Sequence, residues 1–119
     1  TNTESEGGDC FVLKLNSAGN SLLYSTYLGG GSYDTCSAIA VDAGGAALVA
    51  GLTASTDFPV TAGAIQSQLR FGFTPRPADG FLTRINAAGS AILASTYFGG
   101  NGSDIPAALA VDRAGAVYA

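Results

Sequence analysis

Aspartates, a pair of cysteines and one cluster of aromatic and guanidinium groups are the residues here with the reactivity to do chemistry. The aspartates recur singly, one to a loop, at Asp9, Asp34, Asp42, Asp79, Asp104 and Asp112. Histidine is absent, which removes the Ser-His-Asp and Cys-His nucleophile arrangements and the commonest metal ligand. Asp42 and Asp112 stand beside Gly-rich turns, where a carboxylate accepts backbone N–H groups. Asp9 and Asp79 precede apolar runs and are expected to do similar work. A calcium site needs roughly six to eight converging oxygens. Residues 29–34 offer Ser32, Asp34 and carbonyls, and residues 99–104 offer Asn101, Ser103 and Asp104. Neither spacing is that of an EF-hand, so the turn role is preferred and no metal or other cofactor is expected.

The segment Arg70-Phe-Gly-Phe-Thr-Pro-Arg76 is the most individual part of the chain. It puts two aromatics and two guanidinium groups into a long loop, the kind of segment that often carries function. Such groups stack on a sugar or grip a partner; alternatively, Phe71 and Phe73 cover a neighbouring part of the fold, which is the preferred reading. Together with Tyr33, Asp34 and Asp104, the residues Arg70, Phe71, Phe73 and Arg76 form the candidate binding set. Asn101-Gly-Ser103 matches a glycosylation sequon but reads more simply as an Asn-Gly turn.

The elements that position these residues repeat. Asp9-Cys-Phe-Val-Leu-Lys-Leu-Asn16 returns as Asp79-Gly-Phe-Leu-Thr-Arg-Ile-Asn86, and Ser25-Thr-Tyr-Leu-Gly-Gly30 as Ser95-Thr-Tyr-Phe-Gly-Gly100. Ala38-Ile-Ala-Val-Asp42 returns as Ala108-Leu-Ala-Val-Asp112, so the offset is 70 in each case (9 and 79, 25 and 95, 38 and 108). A repeat is the first thing to settle about a fold. Each copy predicts four strand-like runs, at 11–15, 22–28, 38–41 and 46–52 in the first. The breaks Asn16-Ser-Ala-Gly19 and Asp42-Ala-Gly-Gly45, with their copies at 86–89 and 112–115, have hairpin chemistry with Gly available for positive φ. Four short strands joined by hairpins predict a recurring antiparallel meander.

A half-exposed sheet alternates apolar and polar residues. Here Val12 joins Phe11, Leu13 and Leu15, and residues 22–28 are apolar towards both sides, so both faces of each sheet are expected to be covered. The alternate alanines of 38–41 suit an innermost strand where sheets converge. A short helix over 107–111 is the lesser alternative, because β-branched valine favours strand.

Composition bounds the rest. Charged residues are 12% of the chain, about half the usual share, and the net charge is −4. The five Lys and Arg form no basic run, which argues against nucleic-acid binding. The longest neutral runs, 46–52 and 105–111, are about seven residues, whereas a helical membrane span needs roughly 20. No signal-peptide pattern is present, and both ends read as cut edges of something larger.

The motifs Asp-x-Phe-Val-x-Lys-Leu-Asn at 9–16, Tyr-Ser-Thr-Tyr-Leu-Gly-Gly at 24–30, Ile-Ala-Val-Asp-x-x-Gly at 39–45 and Thr-x-Ser-x-Asp-Phe-Pro-x-Thr-x-Gly-Ala at 53–64 resemble the SBBP-type bacterial β-propeller repeat. The resemblance implies an all-β fold: a β-propeller segment of four-stranded antiparallel blades, about two blades' worth with one complete. The whole chain, 1–119, is read as a single such segment. One repeat copy runs over 9–78, with an insertion at about 65–78, and a truncated second copy over 79–119. The complete blade is expected at about 37–98, flanked by an N-terminal outer pair and a C-terminal inner pair of strands. In a propeller, Cys10 would start the third strand of one blade and Cys36 would lie just before the first strand of the next, on the same face. A disulfide is then geometrically conceivable, and two small buried thiols are the alternative. Cys10 and Cys36 align with Gly80 and Pro106, so the repeat itself does not require them.

Propellers need about four to eight blades to close, so the expected partners are other blades of the same propeller or copies of this chain. The family resembles a component of large exported or surface proteins and implies no catalytic residue. The leading expectation is a noncatalytic secreted or cell-surface scaffold or protein-interaction module. A glycan-binding or adhesin module using loops 29–36, 53–79 and 99–106 comes second, and a fragment of a propeller enzyme such as a lyase third.

Overall fold

The computed structural model describes residues 8–70, 78–100, 102 and 104–119. All of the assigned elements are strands: β1 (Cys10–Leu15), β2 (Leu22–Leu28), β3 (Asp34–Val41), β4 (Ala47–Thr53), β5 (Asp79–Ile85), β6 (Ile92–Phe98), β7 (Ala110–Val111) and β8 (Val117–Tyr118). They form three antiparallel sheets. β1 pairs with β2, β7 with β8, and between them lies a four-stranded meander in the order β3-β4-β5-β6. One complete blade thus stands between two half-blades. The short helix considered for 107–111 does not form.

The hairpins owe their tightness to sequence. Gly45 and its copy Gly115 adopt φ of 86° and 88°, a region that a Cβ disfavours. Both donate their N–H to the carbonyl of the Asp three residues earlier. The Asp42 carboxylate accepts N–H groups of Gly44 and Ala46, each at 2.9 Å. Asp112 repeats this with Ala114 and Ala116, also at 2.9 Å. These bonds hold both carboxyls below the usual carboxylate range. At Asp42 the largest cause is the Ala46 N–H, helped by Arg84, and partial desolvation opposes it. At Asp112 it is the Ala116 N–H.

The core lies between the N-terminal half-blade and the complete blade. Cys10, Val12 and Leu28 from one side meet Val49, Phe81, Ile85 and Tyr97 from the other, with Phe58 and Leu69 contributed by the long β4–β5 connection. The Phe58 ring packs 4.5 Å from that of Phe81 and 5.9 Å from that of Tyr97, centroid to centroid. The opposite face of β4 is covered too, since Leu48 and Ala50 are also buried. Gly51 permits a close approach: a Cβ there would overlap the Thr35 carbonyl oxygen across the β3–β4 pair.

Two expectations need correction. Coverage of both sheet faces holds for β4, but Phe11, Leu13, Leu15 and Tyr27 of the N-terminal half-blade are exposed, because no sheet among the described residues stacks on their side. Ile39 and Val41 of β3 are exposed as well: they face the side on which the N-terminal half-blade has only β1 and β2. The first strand of the complete blade begins at Asp34 rather than 38, so Cys36 lies inside β3. Its early residues are recruited by pairing, as Asp34, Thr35 and Cys36 face Thr53, Leu52 and Gly51. The β4–β5 connection, including the start of the region read as an insertion at about 65–78, also packs on the blade. Thr61 and Gln66 bond the main chain of Ser95 and Tyr97 on the open side of β6, blunting an edge that would otherwise invite association, and Leu69 is buried.

Candidate functional site

Strand direction gathers the recurring aspartates. β2, β4 and β6 end where β1, β3 and β5 begin, so one end of the blades carries Asp9, Asp34 and Asp79 together with the described residues of the loops 29–33, 54–78 and 99–104. The hairpins at 16–21, 42–46, 86–91 and 112–116 occupy the other end. The loop-bearing end is the candidate functional face.

Asp34 is buried at its centre. Its Oδ2 accepts the Gly30 N–H at 2.8 Å and the Ser55 hydroxyl at 2.8 Å. Ser55 Oγ in turn accepts the Ser32 N–H at 2.9 Å, and Asp57 Oδ1 accepts the Gly31 N–H at 2.7 Å. The 29–32 loop is therefore held by three side chains from two other segments. The Tyr97 hydroxyl donates to the Ser55 carbonyl at 2.6 Å and accepts the Phe58 N–H at 3.2 Å. Burial pushes the Tyr97 phenol above its ordinary value. The Phe58 hydrogen bond opposes this, while the carboxylates of Asp57, Asp34 and Asp79 add to it.

Asp79 is fully buried. Its Oδ2 accepts the Gln66 side-chain amide at 2.6 Å and the Arg70 N–H at 2.8 Å, which ties the start of β5 to the connection before it. Asp104, which is exposed, accepts the Gly100 N–H at 2.6 Å. The candidate binding residues are thus divided. Asp34 is a structural anchor; Tyr33 is exposed; Arg70 contributes its main chain; Phe71, Phe73 and Arg76 lie outside the described residues. Asn101 and Ser103 do as well. Cys10 and Cys36 are joined by a disulfide, with Cα atoms 5.5 Å apart, linking β1 of one sheet to β3 of the next.

Clefts on the described surface include two small ones. One of about 110 Å³ is lined by residues including Tyr27, Ile85 and Gly89. Another of about 240 Å³ lies between residues 61–65 and the β5–β6 pair. Both fall below the roughly 300–1,000 Å³ of ligand pockets. Among the described residues, no three Asp, Glu, Cys or His side chains converge as a metal-binding group, and no helix is long and apolar enough to cross a membrane.

Residues 23–59, from the second residue of β2 through β3 and β4 to Pro59, match the family model SBBP, described as a beta-propeller repeat. The chain carries an SBBP-type β-propeller repeat. No curated protein and no solved structure matches it. With this family match, the four-stranded meander between two half-sheets is an all-β propeller segment. The match spans the junction of two blades, running from an outer strand of one through both inner strands of the next. It also includes Ser55, Asp57 and Phe58, the residues that brace the loop-bearing end. Sequence reasoning placed Ser55, Asp57 and Phe58 inside a motif but gave them no role. The available signal was the strand arithmetic, which brings the end of β4 beside the end of β2.

Proposed function

We propose that the chain is a noncatalytic segment of a secreted or cell-surface β-propeller scaffold whose open blade faces are engaged by further blades. The observation that carries this reading is a difference between residues 70 apart. Phe81 and Tyr97 of the complete blade are 0% exposed, whereas their copies Phe11 and Tyr27 are 62% and 71% exposed. The same side chains are present in the same strands, and only the neighbouring sheet differs. Phe81 and Tyr97 are covered by the N-terminal half-blade and by Phe58 of the Asp-Phe-Pro segment. The face at Phe11 and Tyr27 fits a partner of that kind. Exposed apolar area of this sort marks an interaction surface.

The absence of histidine and the engagement of Asp34, Asp42 and Asp112 in backbone bonding support a noncatalytic role. The disulfide favours an oxidising compartment, and hence export.

Sedimentation across a concentration series tests the docking face. The 11.8 kDa chain should associate reversibly, and the double variant Phe11→Asp, Tyr27→Ser should weaken association at least tenfold with an unchanged urea midpoint. A species that stays monomeric at about 100 µM, or association that ignores the double substitution, would count against the proposal.

A further inference from the structure

We infer that Asp79 and Asp104 bind a calcium ion beside Gly99. Three observations converge there. Asp79 is 0% exposed and its Oδ1 has no hydrogen-bond partner. That oxygen lies 3.0 Å from the position a Cβ on Gly99 would take, and Asp104 Oδ2 lies 3.0 Å from the same position. Two carboxylate oxygens therefore press on the same side of one glycine, an approach that a side chain at position 99 would obstruct. Among the described residues neither carboxylate pairs with a Lys or Arg side chain.

An unpartnered carboxylate oxygen in the interior is costly unless something positive meets it, and a second carboxylate beside it raises that cost. A cation removes both penalties. The oxygens are also held in advance. Gln66 and the Arg70 N–H fix Asp79 through its other oxygen, and the Gly100 N–H fixes Asp104. Asp79 forms the floor and the exposed Asp104 the entrance, so an ion has a path in. Hard carboxylate oxygens at an irregular site suit calcium, which tolerates variable geometry, better than magnesium, which demands a near-ideal octahedron. Two carboxylates supply the charge and water completes the shell, which corresponds to the weak class of about 0.1–1 mM found in extracellular modules.

The first repeat copy shows why one ion is expected rather than two. Asp9 Oδ1 and Asp34 Oδ2 flank Gly29 at 2.9 and 2.7 Å from its Cβ position. There, however, Asp34 Oδ2 accepts the Ser55 hydroxyl in addition to the Gly30 N–H and Asp34 is 2% exposed, whereas Asp104 Oδ2 accepts only the Gly100 N–H among the described residues and is open to solvent.

Calorimetric titration of the intact chain with calcium chloride, alongside thermal unfolding in calcium and in EDTA, tests the inference. One equivalent should bind, and 10 mM calcium should raise Tm by about 5 °C, with magnesium at least tenfold weaker. Asp104→Asn, at an exposed position, should keep the EDTA Tm and lose at least tenfold in affinity. Asp112→Asn, at the opposite end of the blades, should leave the affinity unchanged. Tyrosine-sensitised terbium luminescence displaced by calcium gives a second readout on the unmodified chain, independent of any variant's folding. No calcium-dependent heat or Tm shift, or binding that Asp104→Asn retains in full, overturns the assignment.

Discussion

The Tyr97 hydroxyl donates to the Ser55 carbonyl oxygen at 2.6 Å while accepting the Phe58 N–H at 3.2 Å. One phenol thus closes both main-chain groups of the turn that carries Asp57. Its copy Tyr27 has the same sequence neighbours, Ser-Thr-Tyr, and stands exposed. Blade stacking, rather than strand identity, decides whether this tyrosine is structural.

Tyr97→Phe is expected to destabilise the chain by about 1–2 kcal/mol, because it leaves the Phe58 N–H and the Ser55 carbonyl with only their long 3.5 Å bond to one another. Tyr27→Phe should change stability by less than about 0.5 kcal/mol. Urea midpoints of the two variants measure the difference. The phenol of Tyr97 is held above its ordinary value of 10.0 by burial, so the native state retains its proton better than the unfolded chain. Its contribution is complete below about pH 10 and is lost as pH rises through the raised value. Tyr97→Phe should therefore flatten the alkaline decline in stability. Equal losses at positions 27 and 97 would mean that Tyr97 is not a specific brace.

The strands, their hairpins and the blade divisions were legible because they repeat. Phe11 with Phe81 and Gly45 with Gly115 carry their message in a fixed offset, and a period of 70 survives differences at individual positions. The four residues before Ala38 were not legible as strand, since Asp34, Thr35 and Ser37 are polar and become β only through pairing with β4. Exposure of Phe11 was equally hidden: an apolar residue reports that a face wants cover, not that cover is present. At the candidate site, Asp34 and Asp104 were visible as loop carboxylates. Their convergence with Asp9 and Asp79 around Gly29 and Gly99 required knowing that strands 70 residues apart start at the same end of the fold. Phe71, Phe73 and Arg76 lie outside the described residues, so their candidacy rests on sequence.

Acid should unfold this chain through its turns. Asp42 and Asp112 have folded values below the ordinary 3.8 of the side chain, so the native state holds their protons less tightly than the unfolded chain does. The stability they supply is fully present above about pH 4 and is lost as pH falls through the lowered values. Asp112→Ala removes the acceptor of two backbone N–H groups; Asp42→Ala also releases Arg84, to which Asp42 is ion-paired. Both variants should be less stable at pH 7 and should lose less on going to pH 2 than the parent, with the larger effect at Asp42. Urea midpoints at pH 7, 4 and 2 measure this. Parallel pH profiles for variants and parent would assign acid unfolding to other groups.

The disulfide closes a loop spanning 26 residues between β1 and β3. These strands belong to different sheets, so no ladder hydrogen bonds join them, and the bridge restricts how far the N-terminal half-blade moves from the complete blade once unfolding begins. Chain-entropy reasoning for a loop of this length gives about 3–4 kcal/mol of stabilisation through the unfolded state. The double variant Cys10→Ser, Cys36→Ser should lose that amount relative to the oxidised chain, and dithiothreitol should lower the oxidised chain's urea midpoint to near that of the variant. The loss should be uneven across the fold. Hydrogen exchange should speed up first in β1 and β2, whose outer face is already open at Phe11 and Tyr27, while β4 and β5 at the centre of the four-stranded sheet stay protected. Unchanged protection of β1 and β2 after reduction would mean that the apolar contacts of Val12 and Leu28 hold the two sheets together without the bridge.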